Sequence, residues 1–184
     1  MLGFGLNFEQ HYDHVTEPFS LGAVVIDSGA YTFNSTDIYV ETFRGRRVTF
    51  STDPLWGDFY GGRVLKLDGT LAVNINRHFN LSVEHTWNQL IFHKGEANEQ
   101  RLETNEFAIF PTYAFTTRLT LSVFGQWNSL DDLIRANARL HWIPKIGSDL
   151  YIVFSQGHTP SKGIDLSDPT SRSLVGKLVW RVVF

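Results

Sequence analysis

The chain contains no cysteine among its 184 residues. Disulfide bridges and thiolate metal sites are therefore excluded, and the composition is compatible with an oxidising compartment. No run of 18 apolar residues occurs, which excludes a transmembrane helix. Charge is nearly balanced, with 16 Lys and Arg against 19 Asp and Glu, so no basic field is available to attract nucleic acid.

A leader sequence is also missing at the start of the chain. Met1 is followed at once by alternating, strand-like sequence, with no basic segment and no apolar segment of the secretory kind. We therefore expect either a fragment of a longer chain or a mature chain with an added Met.

The most informative stretch that is present covers residues 174–184. Apolar or small residues occupy every second position, and the positions between them include Lys177 and Arg181. Side chains of a strand alternate between two faces, so this stretch predicts a strand with one apolar face. A transmembrane β-barrel turns such a face outward to lipid and its polar face to the lumen. A terminal strand with aromatic residues at the last and fifth-last positions is also typical of the signal that outer-membrane assembly machinery recognises.

The same alternation recurs along the chain and predicts ten strands. They cover residues 2–12, 36–43, 47–60, 63–76, 79–93, 101–115, 118–128, 131–143, 149–157 and 174–184. A long external loop is expected at 13–35, and polar loops at 94–100 and 158–171. Long loops on one side and short turns on the other are typical of membrane barrels. The predicted fold is all-β: one antiparallel, up-and-down transmembrane barrel domain over 1–184, either complete or the C-terminal part of a larger barrel.

Aromatic residues, with 15 Phe, 6 Tyr and 5 Trp, support the same topology. The outward-facing ones fall near the two ends of the predicted strands, as in the aromatic girdles at the two interfaces of a membrane barrel. The expected girdle residues are Trp56, Trp87, Trp127, Tyr113, Phe115, Trp142, Trp180 and Phe184.

The inward positions carry charges of both signs, which have two interpretations. The expected lumen-facing residues are Glu9, His11, Arg47, Asp53, Lys66, Asp68, Glu84, Glu106, Arg135, Arg139, His141, Lys177 and Arg181. They either line a selective path for a polar solute or fill a narrow barrel with mutually neutralising ion pairs. Arg135, Arg139, Lys177 and Arg181 are expected to form a stripe that attracts anions.

Catalytic and metal sites are not predicted by any motif. The seven His show no metal-ligand spacing such as H-E-x-x-H, and no G-x-S-x-G motif accompanies His141. We therefore expect no metal, no cofactor and no assigned catalytic residue.

Five segments resemble one family and occur in its order. They are EPFSLGAVVIDSGAYTF (17–33), GDFYGGR (57–63), FTTRLTLSVFGQWNS (115–129), GSDLYIVFSQG (147–157) and RSLVGKLVWRVVF (172–184). Together they are similar to the C-terminal barrel of a functionally uncharacterised bacterial family that carries a carbohydrate-binding-type β-sandwich ahead of the barrel. This resemblance implies the last ten strands of a larger barrel and supplies no catalytic residues.

Three functions from different classes are compatible with these expectations. The first is a porin-like channel or transport component of the bacterial outer membrane for small polar solutes, with glycans implied by the resemblance. The second is a non-conducting anchor that displays a binding module or loops, and the third is a membrane-embedded hydrolase. The expected partners are outer-membrane lipid, the assembly machinery through residues 174–184, and a polar solute or glycan.

Overall fold

The computed structural model describes residues 2–22, 24–43, 45–93, 97–130, 132–159 and 169–182. These residues form an all-β, antiparallel structure with thirteen strands and no helix, so the predicted all-β class is confirmed. Within the same ranges, no helical segment has the length and apolar character needed to span a bilayer.

The sheet is a meander in which strands pair with their neighbours in sequence. Eleven strands follow the order β1-β4-β5-β7-β8-β9-β10-β11-β12-β13, with β6 beside β4 and β7, and β2 pairs with β3 separately. The bounds are β1 Leu2–Val15, β2 Phe19–Leu21, β3 Val24–Ile26, β4 Gly29–Thr42, β5 Val48–Thr52, β6 Leu55–Phe59, β7 Gly62–Asn74, β8 Phe79–Phe92, β9 Gln100–Thr116, β10 Leu119–Asn128, β11 Leu133–Lys145, β12 Ser148–His158 and β13 Ser171–Val179.

Contacts divide the chain into two compact units, which are described separately below. Unit 1 comprises Met1–Gly45, Thr49–Thr70 and His85–Asn105. Unit 2 comprises Arg46–Val48, Leu71–Glu84 and Glu106–Phe184.

The register places apolar side chains of neighbouring strands on a common face, here called the apolar face; the opposite face is called the polar face. In unit 1, one row of this face runs through Phe8, Thr36, Trp56 and Leu65. In unit 2, a row runs through Tyr113, Leu121, Leu140 and Ile152. Because successive residues alternate between faces, each such row is followed by one that points to the polar face.

Few hydrophobic side chains of this protein are buried. Among the described residues, only five hydrophobic side chains are buried, while thirty large hydrophobic side chains are exposed. The exposed fractions of Leu2, Phe4, Leu6 and Phe8 on β1 range from 63% to 72%. The alternating sequence thus forms strands whose apolar side chains do not meet in a core.

The predicted long loop over 13–35 is wrong. β1 extends to Val15, β2 and β3 form a hairpin, and β4 begins at Gly29 rather than at residue 36. The hydropathy pattern did not predict the start of β4, because its apolar face also carries the polar residues Asn34 and Thr36. Its polar face, in turn, carries Phe33. A strand without a clean apolar face has no hydropathy signal of period two.

Two further strand boundaries differ from the predicted ones. The single strand expected over 47–60 is two strands, β5 and β6, interrupted at Asp53 and Pro54, because proline lacks the N–H that the ladder requires. The last strand, expected over 174–184, is Ser171–Val179. Residues 183–184 lie outside the described part of the chain, as do 94–96 and 160–168 of the two predicted polar loops.

The turns are short where the sequence predicts short turns. β9 and β10 are separated only by residues 117–118, and β11 and β12 by 146–147. Tyr60 and Gly61 connect β6 to β7 with φ of 44° and 79°, the left-handed pair that a tight hairpin needs. The turn is therefore one residue earlier than residues 61–62, the gap between the predicted strands 47–60 and 63–76.

Candidate functional site

In unit 1, four of the candidate residues form two charge pairs on the polar face. Glu9 Oε2 lies 3.0 Å from His11 Nε2, and Lys66 Nζ lies 3.6 Å from Asp68 Oδ1. Each pair is spaced two residues apart on one strand, which is the spacing of neighbours on one face. These side chains are partly solvated, where even a full ion pair contributes only about 0–1 kcal/mol, so neither pair adds much to the stability of the fold.

Asp53 lies between β5 and β6 with acidic neighbours. Its Oδ1 atom is buried and, like Oδ1 of Asp68, makes no hydrogen bond within the described residues. Asp37 and Asp68 both interact electrostatically with it. No group of three His, Cys, Asp or Glu that could hold a metal is found in the part of the chain that the structure describes. Asp68 Oδ1 faces the Lys66 ammonium described above, whereas a buried carboxylate oxygen without a hydrogen bond, as in Asp53, requires water or a proton.

The β2–β3 hairpin covers the polar face at one end of unit 1. Val24 and Ile26 of the hairpin are about 95% buried and pack with Val15 and Phe92. Tyr31, Phe59, Tyr60, Leu21 and Leu90 surround this cluster. It is the only cluster of buried hydrophobic residues among the described residues, and it is formed by the segment that the sequence predicts as an external loop.

A hydrogen bond ties this hairpin region to β1. Tyr60 Oη donates to Asp13 Oδ2 at 2.5 Å. The Tyr60 ring makes edge contacts with Phe19 of the hairpin and with Tyr31 of β4. The hydrogen bond to Asp13, with burial of the phenol, raises the pKa of Tyr60 above its ordinary value. Tyr60 therefore holds the hairpin, β1 and β4 together while it is protonated.

The residues of this buried hydrophobic cluster and of the aromatic side chains around it were not among the candidates predicted from the sequence. Its signal was present, since Val15, Phe33, Phe59 and Phe92 break the polar pattern of the polar face near the ends of their strands. Apolar residues on both faces at one strand end indicate that something covers the second face. The neighbouring segment 16–28 supplies that cover.

In unit 2, the polar face of β11 carries Arg135, Asn137 and Arg139 in succession. The register pairs Arg135 with Gln126 and Gly157, and Arg139 with Ser122 and Val153. Both arginines are exposed. Asn137 donates a hydrogen bond to Ser155 Oγ at 2.7 Å.

Two adjacent pockets lie along this part of β11. The first, of about 450 Å³, is lined by Arg135, Asn137, Ser155 and Phe124. The second, of about 300 Å³, is lined by Arg139, Asn137 and Phe124 among others. Phe124 and Asn137 belong to both pockets, so the pockets adjoin. Phe110 stands against Phe124 with ring centroids 5.0 Å apart and gives the second pocket an apolar wall.

His141 lies on the same face of β11, toward the short turn 146–147. Its Nε2 is 2.7 Å from Asp149 Oδ1, and its ring stacks on Tyr151 at 4.2 Å. Lys177 of β13 is the register partner of Tyr151. This arrangement explains how His141 is oriented, but it assigns no nucleophile to it.

The remaining candidates have individual environments. Glu106 accepts a hydrogen bond from Asn128 Nδ2 at 3.1 Å, and Arg47 Nη2 donates to the carbonyl of Ile75 at 3.1 Å. Glu84 lies on β8. Arg181 follows β13, donates its backbone N–H to Ser148 Oγ, and packs over Gly147 at the turn. The structure therefore brings Arg135, Arg139 and Lys177 onto one face of β11 and β13 and leaves Arg181 at the turn.

The expected girdle residues of unit 2 occupy the apolar face near opposite strand ends. Trp127 stacks with Phe107 and is the register partner of Ile134 on β11. Ile134 is eight residues from Trp142 on that strand, which is about 26 Å. Tyr113 and Phe115 make an edge contact near the Trp142 end, and Lys145 Nζ lies 4.4 Å from the Trp180 ring. In unit 1, Trp56 is exposed on the apolar face and Trp87 is half-buried. Phe184 lies outside the described residues.

Comparisons of this chain with models of known protein families, with curated proteins and with solved structures find no match. The resemblance to an uncharacterised barrel family therefore stays a prediction.

Proposed function

We propose that this chain is a β-barrel protein of the bacterial outer membrane whose polar face lines a path for small polar solutes. The observation that carries the proposal is the exposure of apolar side chains: in the described residues, thirty large hydrophobic side chains are exposed and five hydrophobic side chains are buried. Transfer of a large apolar side chain from water contributes about 1.5–3 kcal/mol. Contact with lipid along the apolar face would therefore contribute on the order of tens of kcal/mol.

Closure of the sheet is the second part of the proposal. β1 and β13 are the two edges of the meander, and backbone groups at an edge cannot stay unpaired in hydrocarbon. With β5 and β6 taken as one interrupted strand, the meander has ten strands, so its two edge strands run in opposite directions. Antiparallel pairing of β1 with β13 would close a barrel, as would strands of a longer chain placed between them.

The first test uses the absence of cysteine, which makes single-cysteine labelling straightforward. Ile152 is on the apolar face and its neighbour Val153 on the polar face of β12. In protein folded into lipid vesicles, we expect Val153→Cys to react with a charged, water-soluble maleimide and Ile152→Cys to be protected. Equal reaction of both variants would refute a membrane-embedded sheet.

Conductance in planar bilayers tests the solute path itself. Discrete current steps from folded wild-type protein are expected, because the polar face carries charged side chains and pockets. A labelling pattern of a membrane barrel together with a silent bilayer would instead favour the anchor function.

The anchor is a second candidate because the β2–β3 hairpin covers part of the polar face. A matched pair of variants separates a blocking hairpin from a neutral one. Ile26→Asp places a charge in the buried cluster and should release the hairpin, whereas Val25→Asp, at a residue that is 59% exposed, should not. If the hairpin blocks the path, only Ile26→Asp raises conductance. Equal conductance in the two variants would show that the hairpin does not obstruct the path.

A further inference from the structure

The two adjoining pockets on the polar face of β11 are lined by two arginines and an asparagine. The strand supplies Arg135, Asn137 and Arg139 at alternate positions, all on one face. Arg135 lines the larger pocket, Arg139 lines the smaller one, and Asn137 lines both. Volumes of about 450 and 300 Å³ fall in the range of small-molecule pockets.

The charge of the two arginines is not neutralised locally. Neither guanidinium makes an ion pair with a carboxylate within the described residues. Of the acids of unit 2 near these strands, Asp149 lies against His141, Glu106 accepts a hydrogen bond from Asn128, and Asp132 accepts one from Trp127 Nε1. Gly157 is the β12 partner of Arg135, so the position directly opposite Arg135 on that strand contributes no side chain. The pockets therefore keep a positive potential that an anion can enter.

The geometry indicates a ligand with two charged ends. Four residues separate the arginines along β11, which is about 13 Å between their Cα atoms. Each guanidinium can bind a carboxylate through two parallel N–H···O bonds. Between them, the Asn137 amide and the Ser155 hydroxyl form a polar pair at 2.7 Å, and the Phe124 ring offers an apolar surface.

We propose that Arg135 and Arg139 bind the two carboxylates of a linear organic dianion with a hydroxylated body, such as a sugar diacid. The hydroxyl groups contact Asn137 and Ser155, and the carbon chain lies against Phe124. The inference rests on the proposed function in one respect: the polar face must be open to solute from water.

Isothermal titration calorimetry on the full chain folded in detergent tests the site without requiring conductance. The probes are glucarate with two carboxylates, gluconate with one, and sorbitol with none. We expect glucarate to bind at least tenfold more tightly than gluconate, and sorbitol not to bind. Equal binding of the three probes would overturn the proposal, and tighter binding of a sugar bisphosphate than of glucarate would overturn the carboxylate assignment.

Variants separate a local site from general charge. Arg135→Gln and Arg139→Gln should each weaken glucarate binding at least tenfold. Arg118→Gln removes the same charge at the turn 117–118, and Lys177→Gln removes a charge from the polar face of β13. Both controls should bind glucarate as wild type does. A loss in Lys177→Gln equal to that in Arg135→Gln would show general electrostatic attraction and refute the site.

Failure of the site and failure of the channel give different results. Wild-type protein that conducts but does not bind glucarate would refute the site and leave the proposed channel intact. Protein that binds glucarate but never conducts would refute the channel and leave the site intact. Because both arginines are exposed, their replacement by Gln should preserve folding, which circular dichroism of each variant checks.

Discussion

Arginine placed at adjacent positions of β13 should distinguish the two faces of the sheet energetically. Leu174 is on the apolar face and 71% exposed, and Ser173 is exposed on the polar face. Leu174 pairs with Phe154 of β12, which pairs with Ala138 of β11. Ala138 lies four residues from Trp142 and four from Ile134, the partner of Trp127. Each aromatic row is thus about 13 Å away along the strand, which puts Leu174 near the middle of the proposed apolar band.

The magnitudes differ sharply between a membrane and water. Arginine on the lipid face of a barrel costs about 2–4 kcal/mol at the bilayer midplane. Loss of the apolar contact of Leu174 adds about 1 kcal/mol. We therefore expect Leu174→Arg to lower the free energy of unfolding from lipid by about 3–5 kcal/mol. Ser173→Arg points to the hydrated face, and its effect should stay within about 1 kcal/mol.

Guanidinium titration of protein folded into phosphatidylcholine vesicles measures both values. Tryptophan fluorescence follows unfolding, and gel mobility without boiling checks that the protein has folded. If the apolar face is exposed to water instead, both substitutions are surface changes and should lie within about 0.5 kcal/mol of wild type. A small effect of Leu174→Arg in vesicles would therefore refute the orientation argued here.

Three further outcomes follow from local contacts. Tyr60→Phe, which removes the bond to Asp13, should destabilise the fold by about 1 kcal/mol, as measured by denaturant titration at neutral pH. The pKa of Tyr60 is raised in the folded state, so its contribution to the free energy of unfolding is present below the pKa of a free tyrosine and is lost as pH rises through the raised value. Tyr60→Phe should therefore flatten the alkaline side of a plot of stability against pH. An unchanged alkaline side would contradict this. Gly57→Ala would place its Cβ against the carbonyl oxygen of Asn34 and should lower the free energy of unfolding by about 2–4 kcal/mol. Gly176→Ala meets nothing within 4 Å and should leave it unchanged. Equal thermal midpoints of the two variants would refute the close approach at Gly57.

The strand pattern was predictable because each strand with a clean apolar face carries its own signal. β7 is the clearest case, with Leu65, Leu67, Leu71 and Val73 on one face, and its bounds were predicted within two residues. Alternation is a local property, so no knowledge of partners is needed to detect it. The antiparallel order also follows, since short turns join strands that are neighbours in sequence.

The β2–β3 hairpin was not predictable in the same way. Its strands have three residues each, too few for a period to be recognised, and Gly22 and Pro18 indicate loop. Its stability comes from burial of Val24 and Ile26 against residues that are distant in sequence, such as Phe92. A contact of this kind depends on the assembled sheet, which no local pattern contains.

The candidate site shows the same division. Alternation predicted that Arg135 and Arg139 share a face, and it assigned the other charged candidate residues to the inward face. Whether an inward-facing charge has a partner depends on the register between neighbouring strands. Knowing which face each residue occupies does not determine that register. The structure pairs His141 with Asp149 across the β11–β12 turn and leaves Arg135 opposite Gly157. The two pockets depend on which residues of β10, β11 and β12 lie side by side, so they could not be derived from the sequence.

Register itself requires more than the apolar pattern in a protein of this kind. A slip of one residue would turn every apolar side chain to the wrong face, but a slip of two keeps both faces intact. Polar cross-strand bonds distinguish these alternatives, because Asn137 meets Ser155 and Asn128 meets Glu106 only in the observed pairing. With few buried hydrophobic side chains to pack against one another, these bonds and the tight turns must set the register. The polar face therefore determines the fold as well as lining the proposed solute path, and substitutions there should be judged for both effects.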